Sequence, residues 1–161
     1  MTQEELLASY AAGKRDFSGA DLSGAYLTEA VLVGANLSGA NLYRANLSQA
    51  TLGKVNLEGA NLEGAFLIGA NIEAAKLSGA NLHAADLREA NLHAADLSGA
   101  DLSKVNLIGG NLSGANLSGA NLDSTNLSGA DLSRADLTGT NLRGTDIEDA
   151  NLDGAIGVSF D

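Results

Sequence analysis

From position 17 to position 152 every fifth residue is Leu, with only Phe17, Ile72 and Ile147 standing in its place. The stretch Gly34-Ala35-Asn36-Leu37-Ser38-Gly39-Ala40-Asn41-Leu42 shows two turns of the cycle: a small residue, Asn or Asp, Leu, a polar residue and often Gly. The cycle runs from Arg15 to Gly154 without an insertion or deletion. A period of five fits neither common element. A helix of 3.6 residues per turn would spread these Leu around its circumference, and a straight strand would send alternate Leu to opposite faces. The chain must therefore turn a corner once per repeat, so that every Leu points to one side. The small residue two before each Leu shares that direction, and the Asn or Asp between them points out. Ala fills the small position nearly throughout; Val55, Val105, Gly110, Thr125, Thr140 and Thr145 are the exceptions within the array.

The cycle A-(N/D)-L-x-x resembles the pentapeptide-repeat family, in its cyanobacterial form, over about 140 of the 161 residues. The resemblance implies an all-β solenoid, a right-handed quadrilateral parallel β-helix with four pentapeptides per coil. It also implies that the central Leu and the small residue fill the interior. The twenty-eight repeats from Phe17 to Leu152 then form about seven coils, roughly 34 Å long at a strand spacing of about 4.8 Å. Residues twenty apart stack in four columns, headed by Phe17, Leu22, Leu27 and Leu32. A regularity in the sequence supports this register: the residue two after each column-one member is Gly, at 19, 39, 59, 79, 99, 119 and 139. Other corners hold Arg44, Lys104 and Ser124, or Glu29, Gln49 and Glu89. A type II turn needs positive φ at its third residue, which Gly supplies without steric cost. Type II turns are expected along the first corner and more variable turns elsewhere.

The chain reads as a single domain, 1–161, with a capping helix at 2–13, repeats at 16–154 and a tail or cap at 155–161. Thr2-Gln3-Glu4-Glu5 matches a capping box. Leu6, Leu7 and Tyr10 are placed on one helical face, Gly13 suits a left-handed terminus, and Lys14 and Arg15 favour its negative end. Such a helix is marginal alone; its expected place is over the first coil, whose open edge exposes unpaired backbone and apolar core. At the other end Ile156, Val158 and Phe160 alternate as apolar residues. They are a candidate end cap or the edge of a homodimer.

Composition narrows the function. The formal net charge is −11, and without a basic stripe direct nucleic-acid binding is not expected. The chain has no Cys, which removes disulfides and thiolate metal sites. No signal peptide or membrane-spanning stretch is visible, so a cytoplasmic location is expected. His83 and His93 both follow a Leu, on columns two and four, too far apart for one metal ion. A convex rod of this kind offers no cleft for an enzyme, and no catalytic residue, metal or cofactor is expected.

Surface apolar residues point instead to contact with a protein partner. Tyr26, Phe66, Ile68 and Ile108 lie at outward positions of column three, Val31 and Val33 on column four, and Tyr43 on column two. The first four form a candidate protein-contact stripe. The expected function is a noncatalytic interaction module, a rigid rod presenting side chains to another protein. The alternative is an acidic DNA mimic that inhibits a type II topoisomerase, DNA gyrase, as the quinolone-resistance branch of the family does. Against it stand the cations Arg44, Lys54, Lys76, Arg88, Lys104 and Arg134 among the acids, the rarity of Phe on the central ladder, and the lack of that branch's C-terminal dimerising helix.

Overall fold

The computed structural model describes residues 1–160. One helix, α1 (Gln3–Ala11), precedes a β-helical solenoid. Parallel β-bridges join residues twenty apart without exception, from Asp16↔Asn36 to Asp136↔Ile156. The sheet is reduced to one bridging residue per repeat, the Asn or Asp position, because the chain turns again before a longer ladder can form.

Why each repeat has its composition follows from its five backbone amides, all of which need an acceptor. Around Leu37, the Asn36 amide donates one coil back to Arg15 O (2.7 Å), and the Leu37 amide donates forward to Asn56 O (2.7 Å). Gly39 N donates to Glu58 O (2.9 Å), and Ala40 N closes the turn on Leu37 O (3.0 Å). The fifth amide, Ser38 N, has no backbone acceptor; the Asn36 side-chain Oδ1 takes it at 3.0 Å. This is the physical reason for Asn or Asp before the Leu. The amide nitrogens of these Asn side chains also bridge coils, as in Asn61 Nδ2 to Asn41 Oδ1 at 3.5 Å.

The interior is Leu and Ala, buried from Phe17 through Leu137. Val55, Ile72 and Val105 are buried among them, and Thr125 is the fully buried polar residue; its Oγ1 donates to Leu102 O at 2.6 Å. Corners are more uniform than the sequence suggests. Every third turn residue, from Gly19 to Gly154, has positive φ, including Glu29 (62°), Arg44 (53°) and Ala84 (57°). The expected variability at the other corners is corrected: the turn bond and the register impose one backbone conformation, and non-glycine residues carry its cost.

At the N-terminal end the capping box is complete, with Glu5 N donating to Thr2 Oγ1 (3.1 Å) and Thr2 N to Glu5 Oε2 (3.3 Å). Gly13 takes φ 102° after the helix. Leu6 is fully buried in the rod's core, and Tyr10 packs beside it with its hydroxyl donating to Val33 O (2.7 Å). Leu7 instead faces outward, because one turn of helix cannot turn neighbouring positions to the same side. Arg15 donates to Tyr10 O (2.9 Å), satisfying a carbonyl of the last turn.

Candidate interaction surface

The third column carries the largest exposed aromatics of the array. Tyr26 is 74% exposed and Phe66 46%. The bridges place Asn46 between them and Asp86 directly after Phe66. Phe66 and Ile68 flank the buried Leu67, and Ile68 is half-buried. Ile108, 40% exposed, does not touch this pair: Arg88 occupies the intervening coil, as Gly69 N→Arg88 O and Glu89 N→Ile108 O show. The four residues are therefore an apolar patch, Phe66–Ile68, with Tyr26 and Ile108 as outliers two coils away on either side.

The intervening coil holds an ion pair that the composition alone did not single out. Arg88 Nε and Nη2 clamp Asp86, with Nη2 at 2.7 Å from Oδ2. The Arg88 guanidinium holds the Asp86 carboxyl below the usual carboxylate range, against the opposing effect of burial. Its signal was present: opposite charges two apart, on either side of one inward Leu, must lie side by side.

The two histidines have partners twenty residues on. His83 Nδ1 lies 2.7 Å from Ser103 Oγ, whose proton goes to Asp101 Oδ1 at 2.6 Å. His93 Nδ1 lies 2.8 Å from Ser113 Oγ, which donates to Asn111 Oδ1 at 2.7 Å. In both, the serine proton is already committed to a carboxylate or amide oxygen, so the imidazole stands as donor and not as the serine's base. No group of three or more His, Asp or Glu among the described residues is arranged to hold a metal ion.

At the C-terminal end Ile156 still pairs with the rod, through Ile156 N→Ala135 O (3.0 Å) and Leu137 N→Ile156 O (2.8 Å). The next ladder position is Gly157, and there the coil ends. Ile156, Val158 and Phe160 all remain exposed, Phe160 at 60%. Ser159 and Phe160 border an open cavity of about 510 Å³ with Asn141, Leu142, Arg143, Gly144 and Thr145. Ile147 and Leu152, in the last coil, are only half-buried. No helix among the described residues is long and apolar enough to cross a membrane.

Comparison with known proteins agrees with this repeat architecture. A family profile described as Pentapeptide repeats matches residues 16–53, 40–79, 52–88, 67–103, 85–123, 100–139 and 120–156. Among solved structures, the chain is similar to HetL, a pentapeptide repeat protein involved in heterocyst differentiation regulation in the cyanobacterium Nostoc sp. strain PCC 7120. The two are 31% identical over 97% of each chain, with a TM-score of 0.35. A pentapeptide repeat protein of Cyanothece 51142, Rfr23, is 26% identical over 95% of this chain and 98% of its own, with a TM-score of 0.33. QnrB1, a plasmid-mediated fluoroquinolone resistance protein, is 26% identical over 86% of this chain and 80% of its own, with a TM-score of 0.46. No curated protein sequence matches the chain. The unbroken cycle, the register of twenty and the family match over 16–156 establish that this chain belongs to the pentapeptide-repeat family.

Proposed function

We propose that the chain is a noncatalytic interaction module, a right-handed quadrilateral rod of about seven coils that works in the cytoplasm. It meets an unidentified protein through the third column, at the Phe66–Ile68 patch with Tyr26 and Ile108 further along the same face. The observation that supports this most directly is the exposure of the Phe66 ring beside the half-buried Ile68. An aromatic ring left in water on a rigid scaffold costs no ordering on binding and carries a large apolar area. The C-terminal residues Ile156, Val158 and Phe160 are proposed as a second contact, joining two copies of the rod. Neither contact calls for a metal, a cofactor or nucleic acid.

The net charge of −11 favours one second reading, an acidic surface that docks where DNA would dock on a type II topoisomerase. Column three supports it best, with Glu29, Asp86, Glu89, Asp146, Glu148 and Asp149 against the single cation Arg88. Asp86 is already neutralised by that cation.

Affinity capture with the wild type and a Phe66→Ala/Ile68→Ala variant tests the first reading. A partner retained in high salt and lost in the variant, with unchanged circular dichroism, is the expected result. Capture that ignores the variant and vanishes with salt would transfer support to the acidic reading. DNA gyrase supercoiling assays with added protein then decide whether a topoisomerase is the target. Sedimentation of a Phe160→Ser variant tests the end-to-end contact: a wild-type dimer turned monomeric supports it.

A further inference from the structure

Five repeats depart from the rule that Asn or Asp precedes the ladder residue: Tyr26, Val31, Thr51, Phe66 and Lys76 stand there instead. In each, the amide two residues later loses its side-chain acceptor. The amides of Val33 and Gly53 are two of these, and they have no hydrogen-bond partner among the described residues. They differ from the other three in being stacked, since Val31 bridges directly to Thr51. Thr51 does not cover Gly53: no bond from that amide to Thr51 Oγ1 forms. Two adjacent coils thus aim free N–H groups outward, about 4.8 Å apart by the strand spacing.

These amides border a surface cavity of about 250 Å³ lined by Val33, Gly53, Lys54, Glu73 and Ala74. Gly53 has no side chain to fill it, and a Cβ there would meet only Glu73 O, at 3.9 Å. Lys54 stands at the same corner, exposed and without an ion-pair partner among the described residues. The rest of the rod shows what such an amide binds. At Ser38 it takes an amide oxygen, Asn36 Oδ1 at 3.0 Å. At Ser133 it takes a carboxylate oxygen, Asp131 Oδ1 at 2.9 Å. The same column therefore contains a worked example of carboxylate held by this N–H.

We propose that the Val33 and Gly53 amides, with Lys54, form a binding site for a carboxylate, whose two oxygens replace the Asn or Asp oxygens missing from these two repeats. The Lys54 ammonium supplies the opposite charge and the Val33 side chain an apolar wall. Glu73 faces the carboxylate across the cavity and weakens its binding, so the site favours a ligand that carries a donor or cation on that side. The carboxylate belongs either to a small molecule or to a peptide terminus.

The fold offers a clean test, because the substitution that abolishes the site restores the family pattern. Val31→Asn/Thr51→Asn places side-chain oxygens on both amides and is expected to fold at least as stably as the wild type. Amide chemical shifts are followed by NMR as acetate is added, and then with a short peptide ending in a free carboxylate and its amidated twin. Saturable shifts at Val33 and Gly53, absent at the already capped Ser38 and lost in the double variant, support the proposal. Lys54→Gln should raise the apparent Kd about tenfold, the scale of one charge-assisted hydrogen bond. Binding by acetate identifies a small carboxylate as sufficient; binding by the free peptide alone assigns the site to a chain terminus. Equal binding of the amidated peptide, persistence of the shifts in the double variant, or no shift with any probe would overturn it.

Discussion

The side-chain Oε1 of Gln3 accepts a 2.7 Å hydrogen bond from the backbone amide of Tyr26. In every later coil the equivalent amide donates to a carbonyl one coil back, as Asn46 N does to Ala25 O. The first coil has no such neighbour, and α1 supplies the acceptor in its place. The helix therefore does two separable things: Leu6 covers the apolar end of the tube, and Gln3 blunts its polar edge.

Separating them gives the first prediction. Leu6→Ala should lower stability by about 2–5 kcal/mol, as for other fully buried Leu, read as a fall in the urea midpoint. Gln3→Ala should change the global midpoint by about 1 kcal/mol or less yet speed hydrogen exchange at the Tyr26 amide. An exchange rate at Tyr26 that ignores Gln3 would show the edge to be protected by something else.

The second prediction contrasts two interior positions. Leu87 is fully buried in mid-rod, and Leu87→Ala should cost about 2–5 kcal/mol. Thr125 is buried as well, but its hydroxyl bonds a carbonyl, Leu102 O, that also receives Val105 N at 3.2 Å. Thr125→Ala restores the prevailing small residue and leaves that carbonyl paired, so the expected change is within about 1 kcal/mol. Equal losses at the two sites would mean that the interior is held by polar contacts as much as by Leu packing.

Much of this architecture was legible because a five-residue cycle leaves few ways to fold. The inward Leu, the small residue beside it and the capping box at Thr2 all follow from local chemistry. So does the register of twenty, announced by the glycines at 19 to 139. Corners such as Glu29 and Ala84 were not legible, since local propensity disfavours a conformation that the stacked neighbours impose. The Ser103 and Ser113 partners of His83 and His93 carried a readable signal, a spacing of twenty in the same column. The uncapped amides of Val33 and Gly53 did too, once the role of Asn in the repeat was known. Val31 and Thr51 look like ordinary surface variation until the amide they leave behind is counted.

The corners give the third prediction. Ala84 sits at φ 57° and Gly119 at φ 68°, where a Cβ would meet nothing within 4 Å. Any effect of exchanging the two residue types is therefore conformational. A left-handed L-residue costs about 1–2 kcal/mol, partly offset by the greater freedom of Gly in the unfolded chain, about 0.4–1 kcal/mol. Ala84→Gly should raise stability by about 0.5–1 kcal/mol, and Gly119→Ala should lower it by a similar amount. Calorimetric Tm values of the two variants check this, and a loss from Ala84→Gly would show that the left-handed conformation carries no net cost at this corner.

The last prediction concerns acid. The Ser18 amide lowers the Asp16 carboxyl and the Ser23 amide that of Asp21, each helped by the serine hydroxyl. For Asp131 and Asp136 the hydroxyls of Ser133 and Thr138 act first, followed by their amides. All four lie below the ordinary carboxylate value of 3.8. A depressed folded-state value means that the unfolded chain binds protons first as acid is added. The stabilisation is then fully present above 3.8 and is lost as pH falls below it through the depressed values. Protonation also relieves the mutual repulsion of a chain with net charge −11, which acts in the opposite sense. A variant separates the two: Asp131→Asn/Asp136→Asn keeps an oxygen on each amide, as Asn111 and Asn116 do one coil earlier, while removing the titration. Urea midpoints measured from neutral pH to below 3.8 should fall less steeply in the variant than in the wild type. Parallel curves would assign the acid response to carboxylates elsewhere on the rod.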